Sequence, residues 1–174
     1  MNSATVDDHF SLFGLPVRFD IDPTQLEQAW REVAARVHPD RYATASPAER
    51  RVAMQWAARA NEAYRQLRDP LLRARYLCER AGVDLQTESN TSMDADFLMQ
   101  QMAWREMLDD VREQGSAGAA AAALDAELRD AETGLRDQVG RLLDQQSDAA
   151  AAAIKVREWM FVRKISQELA QAAT

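Results

Sequence analysis

Val37-His38-Pro39-Asp40 decides how this chain folds. Proline disfavours helical backbone at the residue before it and offers no amide donor, so the helix running into it must stop near Val37 or His38. The next helix start is Ser46-Pro47-Ala48-Glu49. It reads as a capping box, with Ser46 at the N-cap, Pro47 in the first helical position and Glu49 closing the box. The tripeptide His38-Pro39-Asp40 is therefore expected on a short loop between two helices, where its polar groups can meet a partner.

Outward from the loop, both sides read as helix. Asp22-Pro23-Thr24-Gln25 opens the preceding helix, whose apolar stripe is Leu26, Trp30, Val33 and Val37. The following helix is predicted from Pro47 to about Arg68, with Val52, Trp56, Ala60, Ala63 and Leu67 at helical spacing. Asp69-Pro70 ends it and caps a short helix carrying Leu72, Tyr76 and Leu77, which stops at Gly82. A further short apolar element, Asp8 to Gly14, must pack on the others because it is too short to stand alone. These pieces form one small helical core over residues 8–82.

Residues 83–92 are polar and read as a linker. Residues 93–174 then read as three helices. The first runs from near Met93 to about Gln114, and Gly115-Ser116-Ala117-Gly118 breaks the chain. The second begins in the Ala119–Ala123 run, carries Leu124, Leu128, Ala131, Leu135, Val139 and Leu142, and should end near Gln146, with Gly134 and Gly140 as weak points. Ser147-Asp148 caps the third, with Ile154, Phe161, Ile165 and Leu169 as its stripe. Complementary stripes on three helices read as an antiparallel bundle. The fold class is all-α: a hairpin with short flanking helices, then a three-helix bundle.

Composition narrows the function classes. The net charge of −7 is unevenly spread: residues 31–80 carry 11 basic and 6 acidic side chains, whereas residues 83–174 carry 9 basic and 17 acidic. An acidic chain with one basic region is a poor general nucleic-acid binder and suits an acidic protein surface. Cys78 is the only cysteine, which rules out an intramolecular disulfide and argues against a zinc site. Two histidines and one cysteine on no shared helical face give no catalytic or metal site, so neither an enzyme nor a cofactor is expected. No apolar run is long enough to span a membrane, and the acidic opening residues lack the pattern of a secretory signal. A cytoplasmic location is expected.

Two motifs in one register then point to a family. After the loop comes Asn61-Glu62-Ala63-Tyr64-Arg65-Gln66-Leu67-Arg68-Asp69-Pro70, followed by Arg73-Ala74-Arg75-Tyr76. With His38-Pro39-Asp40, this closely resembles a J-domain. The opening Phe10-Ser11-Leu12-Phe13-Gly14-Leu15-Pro16, the domain order and Phe97-Leu98-Met99-Gln100-Gln101-Met102 are similar to the HscB family, J-type co-chaperones of bacterial iron–sulfur cluster assembly. The resemblance implies a J-domain that stimulates ATP hydrolysis by a DnaK-type chaperone, HscA in this family, and a bundle that delivers the scaffold protein IscU. His38, Pro39 and Asp40 would form the triggering loop, with positive charge from Arg31, Arg36 and Arg41. Leu98, Met99, Met102, Glu106, Asp110 and Phe161 would line the scaffold-binding face.

The residues suit these roles. A proline-fixed turn has little entropy left to lose on docking, and arginines pair with carboxylates and speed encounter. By periodicity alone, Leu98, Met99 and Met102 either fill the bundle core or the seam between domains, or stand on a second face beside Glu106 and Asp110. Two departures from the family pattern are visible. Val37 stands where J-domains usually carry an aromatic, and Ala103 where close relatives carry an acid on the scaffold-binding helix. The alternative reading keeps the J-domain and changes the client.

Overall fold

A computed structural model describes residues 8–85, 93–114 and 118–172. Their regular structure is helical: α1 (His9–Leu12), α2 (Pro23–Arg36), α3 (Pro47–Arg68), α4 (Pro70–Arg80), α5 (Ala95–Gln114), α6 (Ala119–Asp144) and α7 (Ala149–Ala172), with one 3₁₀ turn at Pro39–Tyr42. Packing divides the chain into two compact units between Leu77 and Cys78, inside α4. Of the expected linker, Asp84 and Leu85 pack with the second unit: Leu85 is buried and the Asp84 carbonyl accepts from Arg157 at 2.9 Å. Residues 86–92 of that linker, and 115–117 of the expected break before α6, lie outside the described residues.

In the first unit, cap chemistry sets the helix starts. The Asp22 carboxylate accepts from the Thr24 amide at 2.8 Å, and Pro23 begins α2. At α3 the Ser46 hydroxyl accepts from the Glu49 amide while the Glu49 carboxylate takes the Ser46 amide at 2.9 Å. Asp69 caps α4 through the Leu71 amide at 2.8 Å. Phe10, Leu26, Ala60, Ala63, Leu67 and Ala74 fill the core between these helices.

A polar and aromatic ladder locks α2 onto α3. The Trp30 indole N–H donates to Asn61 Oδ1 at 3.0 Å, its ring stacks on Tyr64 with centroids 4.6 Å apart, and Arg68 lies over Tyr64. A second tie holds α1 to α4. The Asp8 carboxylate caps α1 and accepts the Tyr76 hydroxyl at 3.1 Å, while His9 stacks on the Tyr76 ring at 4.4 Å. His9 is held below its ordinary pKa, chiefly because burial disfavours the imidazolium.

The expected stripe of α3 needs correcting at its start. Val52 is 51% and Trp56 38% exposed, and Ala53 is the buried residue of those turns. α3 has 22 residues whereas the helices packed on it, α1 and α2, have 4 and 14, so its first turns outrun their cover.

In the second unit, α5 buries Trp104, Leu108 and Val111, and α6 buries Leu124, Leu128, Leu135 and Val139. α6 runs unbroken through Gly134 and Gly140 and ends at Asp144, two residues short of the expected Gln146. The stripe of α7 differs from expectation. Ile154 and Phe161 are only half-buried, and the core row is Ala152, Val156, Trp159, Val162, Ile165 and Leu169. α7 packs on both α5 and α6, so its buried face is wide. Charged neighbours disguise it: Glu158, beside Trp159, is itself buried against Lys155. The turn into α7 holds Ser147 at φ 53°, left-handed backbone that favours glycine.

Candidate protein-docking sites

The first site is the turn between α2 and α3. α2 ends at Val37, whose amide still bonds to the Val33 carbonyl at 3.2 Å. His38 is extended at φ −60° and ψ 135°, as the residue before a proline should be. The expected loop is more ordered than a simple connection, because Pro39–Tyr42 form a 3₁₀ turn closed by Arg41 N–H to His38 O at 3.0 Å. The Asp40 amide donates to His38 Nδ1 at 3.3 Å. In the neutral ring that bond places the proton on Nε2. The Asp40 carboxylate, 3.6 Å from Nδ1, pairs with the ring only when the imidazole is charged. Tyr42 straps the turn back onto α2 through its hydroxyl and the Arg36 carbonyl at 3.4 Å.

The His38 and Asp40 side chains both point to water, 59% and 91% exposed. Arg36 and Arg41 flank them, exposed and without an ion pair among the described residues. Arg31 sits apart. It lies five residues before Arg36, about 140° further round the helix, and its guanidinium is held by Glu27 at 2.6 Å. That pair is solvent-exposed and worth at most about 1 kcal/mol, so a partner carboxylate can displace it.

The second site is the outer face of α5. Leu98 is 41%, Met99 71% and Met102 74% exposed, and Glu106 and Asp110 continue the same row in solvent. These apolar residues are exposed on a second face of α5 and do not fill the bundle core. Phe161, on α7, is half-buried. Its ring meets Phe97 edge-on at 6.2 Å, and the Arg105 guanidinium lies 5.4 Å above it. Arg105 is held in turn by Glu168 at 2.8 Å. No local pattern announces this Glu168–Arg105–Phe161 stack, because Arg105 comes from α5 and its two partners from α7. Ala103 is exposed beside Met102 and offers this face a methyl group only.

Among the described residues no group of three His, Cys, Asp or Glu side chains could hold a metal ion. Cys78 is buried, and burial pushes its thiol up to about 11. No helix among the described residues is long and apolar enough to cross a membrane.

A helical hairpin presenting His-Pro-Asp at its turn, followed by a helical bundle, defines a J-type co-chaperone. The comparisons with known proteins agree. Residues 93–170 match the family model described as the HSCB C-terminal oligomerisation domain. The co-chaperone protein HscB homolog of Bordetella petrii is 74% identical, the match covering 95% of this chain and 96% of the relative. Chaperone HscB from Vibrio cholerae superposes with a TM-score of 0.82 at 36% identity, over 94% of this chain and 96% of the other. Human co-chaperone HscB shares the fold, with a TM-score of 0.87 at 23% identity, over 98% of this chain and 83% of the human one. The chain belongs to the HscB family. It is a co-chaperone, a non-enzymatic protein whose partner is a chaperone.

Proposed function

We propose that the His38-Pro39-Asp40 turn triggers ATP hydrolysis in a DnaK-type chaperone, HscA in this family, and that the α5 face carries an IscU-type iron–sulfur scaffold to it. The reading divides the chain functionally into a J-domain at 8–82, a linker at 83–92 and a scaffold-binding bundle at 93–174, and places the work in the cytoplasm. One observation carries it: the chain exposes two features of no use to its own packing, a charged turn on the first unit and an apolar row on the second. Arg36 and Arg41 provide unpaired cations beside the turn, and Arg31 provides one that a partner can release from Glu27. They would pair with carboxylates on the chaperone. Leu98, Met99 and Met102 are available because Trp104, Leu108 and Val111 already fill the core side of α5. Methionine adapts to a partner's relief, while Glu106 and Asp110 add charge for orientation and Phe161 closes the edge.

Steady-state ATP hydrolysis by the chaperone tests the reading. It is measured alone, with this protein, with scaffold and with both, and repeated with His38→Gln. The expected result is stimulation by both proteins greater than by either, abolished by His38→Gln. Stimulation to which scaffold adds nothing would leave the J-domain role and move the bundle to another client. No stimulation by the folded protein would sink the pairing.

A further inference from the structure

Gly134 sits in the interior of α6, where glycine costs about 1 kcal/mol relative to alanine. Packing does not require it: a Cβ built there meets nothing within 4 Å. What its missing side chain leaves is space. In front of it lies a cleft of about 450 Å³ among α5, α6 and α7.

This cleft opens on a different side of α5 from the Leu98–Met102 row, and only its Phe97 wall adjoins Phe161 of the face assigned above to the scaffold. On α5 it is lined by Phe97, Gln100 and Trp104, whereas Met102 lies two residues beyond Gln100, about 200° round the helix. The cleft has an apolar wall in the Phe97 ring and Leu135. Its charge is one-sided, three carboxylates against one ammonium. Glu158 is 2% exposed and engaged by Lys155 at 3.0 and 3.2 Å, so that pair is closed on itself. The other two carboxylates remain for a ligand. Glu127 accepts the Trp104 indole N–H through one oxygen at 3.1 Å and keeps its second oxygen open. Asp130 is exposed with no ion pair among the described residues.

We propose that the cleft takes the arginine side chain of an extended basic segment on a protein partner. A guanidinium satisfies both halves of the site, packing flat on Phe97 while its forked N–H groups reach Glu127 and Asp130. Lysine, a compact and strongly hydrated cation, gains less from an aromatic wall. Gln100 and Gln138 line the same cleft and bring amides able to bond the backbone of the segment. An acidic segment would meet only repulsion there.

The test is a titration of the full chain followed by NMR, reading the Trp104 indole N–H that is bonded to Glu127. The probes are the blocked peptide Gly-Arg-Gly-Arg-Gly and its glutamate counterpart at equal ionic strength. The arginine peptide should shift the indole signal saturably and the glutamate peptide should not. Gly134→Leu, which fills the cleft, should weaken binding by about tenfold or more without lowering the thermal midpoint. Asp130→Asn should weaken it several-fold, and Gly134→Ala serves as a folded control with a raised midpoint. The proposal is overturned if no saturable shift develops. It is equally overturned if Gly134→Leu binds as well as the parent, since the peptide would then be following the general negative charge of the bundle.

Discussion

The turn of the first unit and the outer face of α5 expose opposite chemistry. At the turn, His38, Asp40, Arg36 and Arg41 are polar and held by short-range geometry: a proline, a 3₁₀ bond and the Tyr42 strap. On α5, Leu98, Met99 and Met102 are apolar and exposed, presented by the helix that carries them. Charge acts at a distance and is weakened by salt, so the turn suits rapid encounter and release. Apolar area acts only on contact, so the α5 face suits a client that must be held. The two surfaces are thus built on different physics.

The strongest way to break this comparison is to show that the α5 row is part of the bundle core. Leu108→Ala should destabilise the second unit by about 3 kcal/mol or more, because Leu108 is fully buried. Met99→Ala should stay within about 0.5 kcal/mol. Urea denaturation of both variants decides the matter, and equal costs would mean the row is not free.

The double change Met99→Ala with Met102→Ala sharpens the division of labour. It should weaken scaffold binding by about 10- to 100-fold in calorimetry, while stimulation of the chaperone in the absence of scaffold is retained. A loss of both functions together would tie the two surfaces to one task.

Ser46→Ala removes the capping box that starts α3 and should cost the first unit about 1 kcal/mol. Hydrogen exchange of the second unit should not change. Ser147→Gly makes the reverse case in the bundle. It relieves left-handed backbone at φ 53° and should raise the stability of the second unit by about 0.5 kcal/mol, read as a higher urea midpoint.

The smallest effect is a pH dependence confined to the first unit. His9 has a folded pKa below its ordinary 6.5, so above that pH both folded and unfolded chains leave it neutral and it contributes nothing. As pH falls below 6.5 the unfolded chain takes up the proton first, and stability declines until the folded pKa is passed. Unfolding midpoints of the parent should therefore drop from pH 7 to pH 5 more than those of His9→Gln. Parallel curves would show that burial of the ring carries no such penalty.

The same contrast explains what could be read from the chain before its structure was known. α2, α3 and α4 start at Pro23, Pro47 and Pro70, behind Asp22, Ser46 and Asp69. These signals act over three or four residues and are written contiguously. The turn residues share that locality, so their exposure followed from proline chemistry alone. Faces are harder. Val52 and Trp56 fit a helical stripe, yet what exposes them is the shortness of α1 and α2, which α3 does not encode. On α7, Val156 and Trp159 were hidden by Glu158, whose burial depends on Lys155 and the surrounding bundle. The Phe161–Arg105–Glu168 stack and the cleft before Gly134 assemble from separate helices, so no single stretch announces them.

Cys78 has a consequence for what this protein can exchange. With its thiol pushed up to about 11, Cys78 stays protonated at neutral pH and is sealed from solvent. Metal transfer between proteins proceeds by one sulfur displacing another at the ion. In the proposed role, a carrier whose sole thiol stays out of that competition would escort its cargo without drawing off the metal.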